Sequence, residues 1–180
     1  MADAVRFNAR IGTIMSPILK DIGIGLTAGT LGGEALKRTA QFMWDNTDPK
    51  NKAREEAIEP RDPFIIMAQK VLPVVTGKKP THAQEKQFET GVMTALGAGG
   101  GIAYVLLARR WPLGWLLGGA IFGTVFYLIE DEGMGPALGL AGDNTKYPVE
   151  AHVRGFAAHL AFGLVAAGVA RLLGVKPKNR

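Results

Sequence analysis

Apolar and charged residues are segregated along this chain rather than interleaved. No Asp, Glu, Lys or Arg occurs at 90–108 or at 111–129, and at 155–170 the only titratable residue is His159. Each run approaches the roughly 20 residues that a helix rising 1.5 Å per residue needs to cross a hydrocarbon core. A soluble domain would have to enclose several helices that are apolar all round, which a small core does not accommodate. The pattern predicts an all-α, polytopic membrane protein: a single domain over 1–180 with about four transmembrane helices at 11–36, 88–109, 112–130 and 150–174. A polar loop and a short interfacial segment are predicted at 45–85.

The first span reads less cleanly than the others. Pro17 and the pair Lys20-Asp21 interrupt an apolar stretch that resumes at Ile22. A pairing of Glu34 with Lys37 or Arg38 at i,i+3 or i,i+4 would let the helix continue towards Trp44. Residues 45–63 read as an exposed loop with Pro49, Pro60 and Pro63 as breaks, and a short surface helix is expected at 50–59. Residues 64–75 are apolar but too short to cross, and read as an interfacial half-helix broken at Pro73. Thr81 followed by Gln84 is a capping-box pattern that starts the second span. The turn Arg109-Arg110-Trp111-Pro112 then sets up an antiparallel hairpin with the third span. That third span is expected to end at Glu130-Asp131-Glu132-Gly133, ahead of a Gly/Pro-rich loop. The last span starts near Pro148 and leads to the basic tail Lys176, Lys178 and Arg180.

Small residues recur at four-residue spacing. Gly25, Gly29 and Gly33, then Gly99, then Gly114 and Gly118 are expected to let helix backbones approach closely in lipid, where apolar surface gives no drive for association. The phosphate-cradling patterns G-x-x-x-x-G-K-[ST] and strand-coupled G-x-G-x-x-G are absent.

The net charge of +5 adds little to this, because the basic residues sit at helix ends and in one mixed-sign loop. Anionic headgroups are the simpler partner, and no nucleic acid is expected. Arg6, Arg10, Arg109, Arg110 and the 171–180 tail fall on one side of a four-span topology, which puts both termini in the cytoplasm. The chain has no cysteine, which excludes disulfides, thiolate metal sites and Cys nucleophiles.

Antiparallel spans bring the acids and histidines to one end. Glu34, Asp131, Glu132, His152 and Arg154 share that face, with His159 seven residues beyond His152 and about 10 Å deeper. Three acids at a helix C-terminus oppose its dipole, so Asp131 or Glu132 is expected within reach of His152 or Arg154. No E-x-x-H or H-E-x-x-H spacing is present, and neither metal, cofactor nor catalytic group is expected. Beside a membrane enzyme acting at the interface, which has the least support, two readings remain. One is an accessory or partner-binding module without enzymatic activity, whose partners are the bilayer and a second copy or another membrane protein. The other is a proton, ion or small-solute transporter using Asp131, Glu132, His152, Arg154 and His159.

Where D-E-G-x-x-P-x-x-G-L (131–140) meets H-x-R-G-x-x-x-H-x-x-F-G (152–163), the chain resembles the YagU-like family of bacterial inner-membrane proteins. The resemblance implies an inner-membrane location and a helical fold, and no activity. Members often carry an acid near Lys37 and a histidine near Val92 and Met93, where this chain departs from the pattern.

Overall fold

The computed structural model describes residues 2–59 and 61–176, with side chains from Pro17 onwards. Among the described residues the chain is helical throughout, without a strand. Helix α1 (Ala2–Asp45) is followed by α2 (Pro49–Ile58), α3 (Pro63–Thr76), α4 (His82–Ala108) and α5 (Trp115–Tyr127). A π-helical segment (Leu128–Met134) then leads through the single turn α6 (Gly135–Ala137) and a 3-10 turn (Asn144–Lys146) into α7 (Val149–Leu172).

Two of these helices, α4 and α7, are long and apolar enough to cross a membrane. The four spans read from the sequence reduce to these two by length and composition. Helix α1 carries Lys20, Asp21, Glu34, Lys37 and Arg38 along its length, and α5 has 13 residues before its backbone widens into the π segment.

Helix α1 is continuous, with Pro17 inside it. The Lys20-Asp21 pair does not interrupt it, because Asp21 is met by Arg109 at the far end of α4, Nη2 to Oδ1 at 2.7 Å. Glu34 pairs with Arg38 at 2.6 Å, one of the two pairings expected. In α3, Pro73 does not break the helix; it ends one turn later at Gly77, whose φ of 70° is left-handed and suits a residue without Cβ. Asp48 and Asp62 cap α2 and α3, each ahead of a proline at the first helical position. The capping box at Thr81 and Gln84 is formed in full.

Helix α1 packs along both α4 and α7, and α5 packs along α7. The consecutive pair α4 and α5 meets only narrowly, through Tyr104, Phe122 and Phe126, so the expected hairpin is a connection more than an interface. Backbone-to-backbone approach does the packing. A Cβ on Gly101 would lie 2.2 Å from the Gly25 carbonyl oxygen, and one on Gly29 would lie 2.1 Å from that of Gly97. A Cβ on Gly123 would lie 2.3 Å from the His159 carbonyl oxygen, and one on Gly163 would lie 2.2 Å from that of Gly119. Gly25 and Gly29 therefore sit where the spacing placed them. Gly33, Gly99 and Gly114 do not: a Cβ there meets nothing within 4 Å, and Gly118 makes only ordinary contact. The i+4 repeat is right for Gly25 and Gly29 on α1, but it selects the wrong glycines on α4, whose contact face carries Gly97 and Gly101, and on α5, whose contact face carries Gly119 and Gly123. Phe162, fully buried, fills the space left by Gly32 and Gly100.

Candidate functional site

The polar end of the bundle is a groove of about 620 Å³, walled by the π segment and α7 on one side and by α2 and α3 on the other. The π segment is what aims its acids. Leu128–Met134 has i→i+5 bonding, and such turns inside helices recur at functional sites. The three acids that read as a helix end are thus held inside a continuing helical path, Glu132 turned to His152 and Glu130 and Asp131 both turned to His159.

Glu132 is the best connected. Its carboxylate accepts hydrogen bonds from the Tyr127 hydroxyl and from Asn144 Nδ2 at 2.7 Å, and His152 Nδ1 lies 2.6 Å away. The other ring nitrogen of His152 is 3.1 Å from the Asn144 carbonyl oxygen. Burial alone would raise the Glu132 pKa; the bonds from Tyr127, His152 and Asn144 outweigh it and hold the group below its ordinary value. Glu130 lies 3.5 Å from His159 Nε2, and Asp131 lies 3.6 Å from His159 Nδ1, which also sits 2.9 Å from the Gly155 carbonyl oxygen. Withdrawal from water pushes the Asp131 pKa up, with His159 opposing and the neighbouring Glu130 and Glu132 adding to the rise.

The second wall comes from the loop region. Arg154 pairs with Glu55 on α2, and its guanidinium carbon stands 5.0 Å from the ring centre of Trp44. Both partners are largely shielded, and one atom of each, Arg154 Nη1 and Glu55 Oε2, is buried without a hydrogen-bond partner. The Tyr147 hydroxyl donates to Glu59, while Lys70 Nζ donates to the carbonyl oxygens of Leu138 at 3.0 Å and Gly139 at 2.8 Å. Burial, together with Asp62 and Glu55, raises the Glu59 pKa against the lowering bond from Tyr147.

Of the six residues proposed from sequence, Asp131, Glu132 and His152 meet at the groove, Arg154 lines it, and His159 lies just beneath, in contact with Asp131 and Glu130. The expected contact between the acids and the helix that follows is Glu132 to His152. Arg154 is the correction, because it turns away to Glu55. Glu34 does not join, being exposed and held by Arg38. Lys146 pairs with Asp143 at 3.6 Å instead of with the π-segment acids.

Sequence reasoning missed Tyr127, Asn144, Tyr147, Glu55, Glu59 and Trp44. For Tyr127 a signal existed, since it stands five residues before Glu132 in an otherwise apolar run. Asn144 depends on the loop before α7 returning to Glu132, and the rest depend on how the 45–63 segment folds back, which no local pattern encodes. Glycines of the H-x-R-G and D-E-G-x-x-P-x-x-G-L patterns have a structural basis. A Cβ on Gly155 would sit 2.6 Å from Asp131 Oδ2 and 2.9 Å from Tyr127 Cε2. Gly139, with φ of 61°, presents its carbonyl to Lys70.

Among the described residues, no three of the His, Asp and Glu side chains converge tightly enough to hold a metal ion. Comparison of the chain with protein-family models, with curated proteins and with solved structures returns no match.

Proposed function

We propose that this chain is a multi-pass protein of the bacterial inner membrane, related to the YagU-like proteins, and that it works as a binding module without enzymatic activity. In this reading α1 and the stretch 112–130 cross the bilayer beside α4 and α7, which leaves Asp131 and Glu132 at the membrane face. Leu26 and Leu31 on α1, and Leu116, Leu117, Ile121 and Val125 on α5, are exposed large apolar side chains that lipid would cover.

The observation that carries the reading is the groove. Its volume is in the range of small-ligand sites, it opens at the polar end, and charged groups from α2, the 59–62 connection, the π segment and α7 converge on it. Beneath it Phe122 stacks on both Phe126 and Phe162, those two rings are tilted against each other, and His159 abuts Phe126, so the polar groups give way to an apolar layer. That order suits capture at one membrane face better than passage through a single chain. The transport reading draws on the contacts of His159 with Glu130 and Asp131. It calls for a pH-dependent flux in liposomes that His159→Ala abolishes.

The binding reading has its own test. The chain has no cysteine, so Ala151→Cys on the groove wall is a unique thiol. In reconstituted protein, a small-molecule extract of bacterial cells should slow maleimide labelling of that thiol. Labelling at the same rate with and without extract would remove the reading.

A further inference from the structure

The groove lining has an unusual balance. Seven carboxylates face two guanidinium groups there, although the chain as a whole carries +5. The internal partners do not even this out. Arg154 is engaged by Glu55, and Arg61 Nη1 donates to Gln69 at 2.9 Å. Glu59 is met by a neutral hydroxyl, and the charged partner of Asp131 is His159 at 3.6 Å. Glu56 is exposed at the lip.

Aromatic faces accompany the acids. Trp44, Phe64, Tyr127 and Tyr147 line the same space. Trp44 already carries two of the chain's own cations over its ring, Arg154 at 5.0 Å and Lys52 Nζ at 5.4 Å. Carboxylates beside aromatic faces are the chemistry that selects organic cations, because the ring quadrupole and the acids attract the same group while the walls exclude strongly hydrated ions.

The geometry points to an ammonium-bearing ligand, a free amine or the amine headgroup of a phospholipid, held between the Glu56 and Asp131 carboxylates against the aromatic wall. This rests on the binding reading above and adds the chemical class of what is bound. A groove at the polar end, with Val92 and Leu96 of the apolar α4 in its lining, can be entered from water or from the lipid side.

The experiment uses the full chain carrying Ala151→Cys in phosphatidylglycerol nanodiscs, with maleimide labelling as readout. The probes are ethanolamine and tetramethylammonium, with sodium phosphate as the anion control and a second set of nanodiscs containing phosphatidylethanolamine. Protection by ethanolamine or tetramethylammonium in solution, weakened about twofold to fivefold by Glu56→Gln or Asp131→Asn, supports a soluble source. Protection only in phosphatidylethanolamine discs, with the same loss in the two variants, supports a headgroup. Glu56 is exposed, so its variant reports on binding even if Asp131→Asn fails to fold. Protection by cell extract or by phosphate, with none from either amine source, would overturn the ammonium assignment and leave the binding reading standing. Protection by nothing at all would overturn both.

Discussion

At the scale of single residues, the glycines and the groove acids make opposed demands that measurements can separate. Gly101 has the Gly25 carbonyl and the Gly29 backbone where a Cβ would go, at 2.2–2.4 Å. Gly101→Ala should therefore destabilise the protein by about 1–3 kcal/mol, as overpacking does. Gly99→Ala, on open helix surface, should be neutral or stabilising by about 0.5–1 kcal/mol. Thermal melts in detergent separate the two, and equal effects would contradict the α1–α4 seam. Two acids should show opposite pH signatures. Glu132 is held below its ordinary value of 4.5, so its contribution to stability is present above that pH and is lost on acidification. Glu132→Gln should lower the melting temperature at pH 7, and the gap should close as pH falls below 4.5. Glu59 is raised above 4.5, so its contribution is full at low pH and is lost as pH rises through the raised value. Glu59→Gln, which can still accept from Tyr147, should raise the melting temperature at pH 7 and change little at pH 4.

At the scale of elements, what the sequence disclosed depended on whether the signal was local. The α4 cap needed only Thr81 and Gln84, and the start of α7 needed only Pro148. Neither depends on distant partners. The continuity of α1 was not legible, because Asp21 looks like an interruption until Arg109, 88 residues away, neutralises it. The acids at 130–132 looked like a helix end, since no residue pattern distinguishes a C-terminus from a turn that widens and continues. The second wall of the groove was hidden for the same reason as Asp21. Glu55 and Tyr147 look ordinary until their partners arrive from elements far along the chain. The Asp21–Arg109 pair is largely shielded from water, so removing one partner leaves a charge with nothing to meet. Arg109→Gln alone should cost about 2 kcal/mol, and adding Asp21→Asn should recover much of that loss. Additive losses in this cycle would contradict the pairing of α1 with the end of α4.

At the scale of the whole molecule, the architecture divides the chain into two chemically distinct ends. Asp21, Arg109, Arg110, Arg171 and Lys176 belong to one, with Arg109 Nη1 donating to the Lys176 carbonyl oxygen at 3.4 Å. The groove, α2, α3 and the turn at Asn144–Lys146 belong to the other. In the proposed topology the first end, with both termini, faces the cytoplasm. The side chains of Arg6 and Arg10, and residues Lys178 and Arg180, on which the sequence-based orientation also drew, lie outside what the structure describes. The central claim is that α1, α4, the stretch 112–130 and α7 all cross the bilayer, so that these two ends lie on opposite sides of it. Because the chain has no cysteine, single substitutions report on this directly. Glu56→Cys and Lys146→Cys mark the groove end, and Arg110→Cys marks the other. In intact spheroplasts a membrane-impermeant maleimide should label the two groove-end variants at once, and the Arg110→Cys variant only after permeabilisation. Labelling of all three variants from the same side would contradict the four-span reading, as would recovery of the protein in the soluble fraction.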